Sequence, residues 1–320
     1  ITNNTSTAWE RIKDSVGLVA NATKNGGTVV NNFDDLAPWS EIKSCNYDIE
    51  TGKVKAWFGD ATFNFDGSNG DVFTYIPDVY LKIYQEDDYD YILLSDIPRS
   101  GFIKYDSFFI ARYAGSVVDD KLHSYSGLAP TVSKTIAQFR TLARALGDKF
   151  SLLDYRYFII QMLYLVEYAN YNSQSMLGNG VMSIDWDNKW DGLSAGGCDS
   201  LGMKSGCLVN DGKNSVIYRG IENPYGNMWQ FVDGITVVDR IAYICKDHSQ
   251  YADSKTASPY KKLGYVNGDT SGWTKNLGFD PDEPLARFPV EIGGSSSAGT
   301  GDYYYQNTGT RLALVGGNFS

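Results

Sequence analysis

The chain has two histidines, His123 and His248. Neither stands in a nucleophile motif, so a Ser-His-Asp or Cys-His device has no seat, and both read as surface or loop histidines. The cysteines are Cys45, Cys198, Cys207 and Cys245, with no C-x-x-C pair among them, which argues against a zinc site. Cys198 and Cys207 flank a glycine-rich stretch and would suit a disulfide in a protein that matures outside the cell; free, buried thiols are the favoured reading. Acidic clusters at Glu86-Asp87-Asp88-Tyr89-Asp90, Asp185-Trp186-Asp187-Asn188 and Asp280-Pro281-Asp282-Glu283 invite calcium. None completes an EF-hand loop, since Lys189 falls where a loop starting at Asp185 needs an oxygen ligand; solvated acidic turns are the better reading. The glycine-rich stretches lack Walker or Rossmann spacing and the strand-turn-helix setting, which excludes nucleotide binding. What remains is recognition chemistry. Trp186, Trp190, Trp273 and Tyr303-Tyr304-Tyr305 sit in polar loop sequence, where an aromatic side chain owes less to a core and is free to contact a sugar or a protein.

Composition fits that chemistry. The 23 Tyr and 33 Gly are types that recognition surfaces favour, although a loop-rich β protein uses the same residues structurally. A net charge of −10 argues against a nucleic-acid or anionic-membrane partner. The most apolar run, from Phe158 to Val166, is interrupted by Gln161 and falls far short of the ~20 residues a membrane span needs, so no insertion is expected.

The most informative stretch is Arg219-Gly220-Ile221-Glu222-Asn223-Pro224-Tyr225-Gly226-Asn227-Met228-Trp229-Gln230-Phe231-Val232-Asp233-Gly234. Its Asn-Pro and Tyr-Gly pairs signal a turn, and Trp229, Phe231 and Ile235 are expected on one buried strand face. Later comes Arg311-Leu312-Ala313-Leu314-Val315-Gly316-Gly317-Asn318-Phe319-Ser320. The G-N-x-W-x-[FW] pattern followed by a glycine pair, a small polar residue and an aromatic resembles formylglycine-generating-enzyme-like domains of the C-type-lectin fold. Trp39-Ser40-Glu41-Ile42-Lys43-Ser44-Cys45-Asn46, the helix-like run Gln161 to Ala169, Asp199-Ser200-Leu201-Gly202 and Asp302-Tyr303-Tyr304-Tyr305-Gln306-Asn307 resemble phage tail-fibre proteins, some of them variable proteins of diversity-generating retroelements.

The resemblance runs from about Trp39 to Ser320 and implies a binder more readily than a catalyst. The oxidase members carry a cysteine pair beyond the Gly-Gly motif, and this sequence holds none in the three residues after Gly317. It therefore implies a non-catalytic virion receptor-binding protein, located on a tail fibre or outside the cell, that recognises a host-surface glycan or protein and contacts other tail proteins. The alternatives are a formylglycine-generating-type oxidase and a purely structural tail or decoration protein. Ligand contact is expected at Trp273, Tyr303, Tyr304, Tyr305, Asn307 and Asn318, with no catalytic or metal residues and no cofactor; irregular loops in such relatives leave room for a structural calcium ion.

These residues must be positioned by secondary structure. Alternation predicts strands over 53–58, 72–75, 79–84, 108–113, 215–219, 227–238, 240–245 and 311–315. Ser133 is expected to cap a helix with Ile136, Phe139, Leu142 and Leu146 on one stripe. Asp154 is expected to cap an almost wholly apolar central helix to about Tyr171. The stretches 177–215 and 252–301 read mainly as long loops. The expected fold class is α+β: a β-rich section over 1–100, for oligomerisation or attachment, then a two-helix C-type-lectin-like domain over 101–320. Aromatics of the front section (Trp57, Phe58, Phe73, Tyr75, Tyr80, Tyr84) imply a homo-oligomer, and the resemblance makes it a trimer.

Overall fold

The structure is a computed structural model that describes residues 1–3, 6–21, 23, 29–184 and 192–317. Asp185, Trp186, Asp187, Asn188, Lys189, Trp190 and Asn318 lie outside the described residues. Along the chain run β1 (Thr2–Asn3), β2 (Lys43–Asp48), β3 (Lys53–Trp57), β4 (Asp71–Ile76), β5 (Val79–Glu86), β6 (Tyr89–Ser95), β7 (Ile103–Tyr105), β8 (Phe108–Ala111), β9 (Ser116–Val118) and β10 (Lys121–His123). Among the described residues three α-helices follow: α1 (Ile136–Arg144), α2 (Tyr157–Tyr168) and the single-turn α3 (Ser173–Met176). The remaining strands are β11 (Gly206–Cys207), β12 (Val216–Tyr218), β13 (Ile221–Glu222), β14 (Gln230–Val238), β15 (Ile241–Ile244), β16 (Lys261–Lys262), β17 (Gly272–Leu277), β18 (Pro289–Ile292), β19 (Tyr303–Tyr304) and β20 (Thr310–Val315).

This architecture overturns the expected α+β C-type-lectin frame. Among the described residues strand accounts for 32% and helix for 14%, and the strands are divided among six small antiparallel sheets. Their orders are β1-β6-β5-β7, β3-β2-β4-β8, β10-β9, β11-β12-β13, β16-β15-β14-β20 and β18-β17-β19. The stretch read mainly as loop over 252–301 holds β16, β17 and β18. The β3-β2-β4-β8 sheet draws strands from both sides of position 100, through the pairing of Phe73 with Ala111 and Ile76 with Phe108.

Local chemistry sets the helix limits. Thr135, rather than Ser133, caps α1: its hydroxyl accepts the Gln138 N–H while the Gln138 side chain accepts the Thr135 N–H. Ser133 has φ of 60°, outside the extended geometry a cap adopts. The α2 helix starts at Tyr157, because the Asp154 carboxylate is turned to the Arg156 N–H and guanidinium and to the Tyr251 hydroxyl. It stops where Ala169 enters the left-handed region at φ of 51°. Nearly every side chain of α2 is buried, with Ile159 and Leu163 in one core cluster with Ile83, Ile92, Val232, Ile235 and Leu285.

Polar anchors tie the N-terminal segment to this core. Glu167 on α2 is fully buried and accepts from Arg219 Nε (2.7 Å) and Nη2 (2.9 Å), Asn31 Nδ2 (2.6 Å) and the Tyr218 hydroxyl (2.8 Å). Arg219 also donates to Asp34 at 2.9 Å, and Arg11 donates to the Val166 carbonyl at 2.8 Å. Arg11, Asn31 and Asp34 are thus strapped to α2 and to Arg219 by charge-assisted hydrogen bonds. The front-section aromatics are half-buried rather than free, packing on one another: Tyr84 stacks on Tyr91 at 4.6 Å and Trp57 meets Tyr75 edge-on at 6.0 Å.

Candidate functional site

Strand β17 carries Trp273 on the outer face of the β18-β17-β19 sheet. Thr274 beside it is buried, so alternation sends Trp273 and Lys275 outward together. The register pairs Trp273 with Tyr303 and Gly272 with Tyr304. The two outward rings meet edge-to-face, with centroids 5.9 Å apart and planes at 80°. Trp273 is 39% exposed, Tyr303 59% and Tyr305 73%. Past β19 the chain stays beside β17, because Ser271 Oγ accepts the Gln306 N–H at 2.9 Å. Trp273 and Tyr303 therefore stand together at the surface on paired strands, and Tyr305 is exposed two residues beyond Tyr303.

The backbone that carries them admits little variation. Gly272 has φ of 158°, and a Cβ there would meet Ile292 Cγ2 at 2.4 Å. Gly299 has φ of 68°, and a Cβ there would come within 2.2 Å of the Thr274 carbonyl oxygen. The loop leading into β19 is pinned from outside the sheet: Thr7 Oγ1 donates to Ser297 O at 3.4 Å and Asn172 Nδ2 to Ser296 O at 3.2 Å. Thr7 and Asn172, the N-cap residue of α3, thus hold this loop.

Polar groups border the rings. Lys275 Nζ lies 2.6 Å from Glu291 Oε1, and Asn276 Nδ2 donates to Glu291 Oε2, with Lys275 and Glu291 each about half-exposed. Hydrogen bonding from Lys275 holds the Glu291 carboxyl below its ordinary range, so it is ionised at neutral pH. Asn307 is exposed just beyond. Tyr304 turns inward, and burial pushes its phenol up from its ordinary value. Among the expected contact residues, Trp273 and Tyr303 are brought together on one face, Tyr305 and Asn307 are exposed in the segment that follows, and Tyr304 is half-buried between Tyr303 and Tyr305.

Trp229 departs from its expected place in the core: it is 50% exposed. A bulge in β14 between Val232 and Thr236, with Gly234 at φ of 76°, shifts the strand's phase so that Val232 and Ile235 point inward. Trp229 and Phe231 fall on the other face, where Phe231 is covered in part by Phe139 with ring centroids 6.3 Å apart. Only the bulge separates the two readings, and Gly234 is its one sequence mark.

The titratable groups elsewhere serve structure. His123 is buried rather than on the surface, with Nδ1 2.9 Å from Asp71 Oδ2 and its ring stacked on Tyr125. His248 Nε2 lies 2.8 Å from the Asp148 carbonyl. The Glu222 carboxylate accepts the Gly196 N–H at 2.9 Å and the Cys198 N–H at 2.8 Å; burial nonetheless pushes its pKa up. All four cysteines are buried, and Cys45, Cys198 and Cys245 are free thiols; desolvation pushes Cys45 up to about 12. Asp87 and Asp88 form the tight turn between β5 and β6, with φ of 47° and 65°. Asp280 accepts the N–H groups of Gly264 and Asp282. Among the described residues, no group of three or more His, Cys, Asp or Glu is gathered as a metal site requires. No described helix is long and apolar enough to cross a membrane.

An open depression of about 340 Å³, lined by Ile241, Lys262, Leu263, Gly264, Tyr265 and Val266, offers a single charged side chain. Its one hydroxyl, on Tyr265, is committed to the Ala286 carbonyl at 2.6 Å. The aromatic face therefore remains the better-equipped candidate. Compared with models of known protein families and with curated proteins, the chain matches none.

Proposed function

We propose that this chain is a non-catalytic binding protein that grips a ligand on a host-cell surface, in the manner of a virion receptor-binding protein. The observation that carries this reading is the pair of exposed, edge-to-face rings of Trp273 and Tyr303 on paired strands, with Tyr305 exposed just beyond them. Rigid aromatic rings supply contact area at low entropic cost, and exposing an aromatic pair with a third ring in the next segment is explicable as a contact surface. The tail-fibre-like segments noted in the sequence supply the virion setting; the C-type-lectin frame is no part of it. Several copies on one particle, as in a homotrimer, would raise weak single-site binding through avidity.

Adsorption of the labelled protein to a panel of bacterial cells tests the reading. The parent is expected to bind at least one strain, and the Trp273→Ala/Tyr303→Ala/Tyr305→Ala variant to lose that binding while melting normally. Anchors of this kind often contribute about 2 kcal/mol or more each. Adsorption unchanged in the triple variant, or absent in the parent, would refute it.

A further inference from the structure

The polar groups beside the rings narrow the ligand class. Lys275 follows Trp273 by two residues, where the β17–β18 register shifts between Thr274 and Asn276 and leaves both Lys275 and Asn276 exposed. Glu291 stands opposite on β18, its two carboxylate oxygens engaged by Lys275 and Asn276. Each member keeps unused capacity: Lys275 has further N–H donors, Asn276 a second N–H and a carbonyl, and each Glu291 oxygen a further lone pair. This is a preformed array of adjacent donors and acceptors at the edge of an aromatic surface. A pyranose presents the complementary pattern, an apolar C–H face for the rings and adjacent hydroxyls that each donate and accept.

Charge selects further. The Lys275–Glu291 pair is neutral as a unit, and the chain's net charge of −10 disfavours a polyanionic ligand. A protein partner fits less well. Hot spots in protein interfaces sit in desolvated pockets sheltered by surrounding contacts, whereas these rings stand among exposed polar residues such as Lys275, Glu291 and Asn307.

We infer that the ligand taken at this face is a neutral glycan, held by a pyranose unit stacked on the Trp273 ring and flanked by Tyr303, with two adjacent hydroxyls bonded by Lys275, Asn276 and Glu291. The inference rests on the reading of this face as a binding surface and names its ligand class. Two measurements test it separately from that reading. The first is binding of the whole chain to immobilised neutral glycans of glucose, galactose, mannose and N-acetylglucosamine, beside sialylated and sulfated counterparts. The second is adsorption to cells treated with periodate, which cleaves adjacent diols, or with protease. Binding to a neutral glycan, abolished by periodate and weakened about tenfold or more in Glu291→Gln, is the expected result. Adsorption that survives periodate but not protease, or preference for sulfated or sialylated glycans, overturns the glycan assignment and leaves the binding face standing. Adsorption indifferent to Trp273→Ala and Tyr303→Ala overturns the face itself.

Discussion

Replacing Glu167 by Ala leaves the Arg219 guanidinium buried with only the solvent-facing Asp34 as a charged partner. The same change strips the Asn31 amide and the Tyr218 hydroxyl of their acceptor. Removing one member of a buried ion pair typically costs about 3–5 kcal/mol, because the remaining charge has lost its compensation rather than because the pair is itself so favourable. For a chain of 320 residues the unfolding entropy near the midpoint is roughly 0.7 kcal/mol per degree, so a loss of ~4 kcal/mol lowers Tm by about 6 °C. Calorimetry on Glu167→Ala measures this directly. Limited proteolysis reports whether the segment from Arg11 to Asp34 is released, since its anchors converge on the same carboxylate and its carbonyl neighbours. Glu167→Leu combined with Arg219→Met removes both charges and is expected to melt above Glu167→Ala. A single variant within about 1 °C of the parent, or a double variant that loses the sum of both single changes, would refute the reasoning.

Three further outcomes follow from the core and its titrating groups. Trp229→Ala is expected to change stability by only about 0.5 kcal/mol, whereas Ile235→Ala costs about 2–5 kcal/mol; chemical denaturation compares the two, and the reverse order would contradict the bulge-shifted face of β14. The thiols of Cys45 and Cys198, raised by desolvation, are expected to resist iodoacetamide at pH 8 in the native protein and to react on denaturation, as mass spectrometry would show; rapid native labelling contradicts their burial. Burial raises the Glu222 pKa above its ordinary 4.5, so its contribution to stability is fully present below that value and is lost as pH rises through the folded value. The Tm of Glu222→Gln relative to the parent should therefore rise between pH 4 and 7, and a flat difference would contradict the assignment.

Sequence alternation located the strands whose inward residues are apolar, such as β5, where Val79, Leu81 and Ile83 are buried. It missed β17 because the pattern there is inverted: the inward residue is Thr274 and the outward one is Trp273. The exposed aromatics of the candidate face were nonetheless legible, as large rings in polar sequence. The polar border was not, since Lys275 and Glu291 are brought together only by the β17–β18 pairing. Buried arginines were equally hidden. Arg112, Arg140, Arg219 and Arg287 meet Asp199, Asp233, Glu167 and Asp90, partners remote in sequence that no local pattern reports. The C-type-lectin expectation failed for a related reason: two short motifs and two helices were read as a frame, while most of the strands that build the six sheets lie elsewhere.

The strap over α2 also has a consequence in time. Asp34 and its partner Arg219 are 185 residues apart, so a ribosome working at about 5–20 residues per second makes the second roughly 10–40 s after the first. Until α2 and then Arg219 have been made, the Asn31 and Asp34 side chains lack the carboxylate and the guanidinium they bond. Closure over so long a loop is slow relative to local structure. Residues near Asp34 thus wait on partners made late in the same stretch before their anchors are complete.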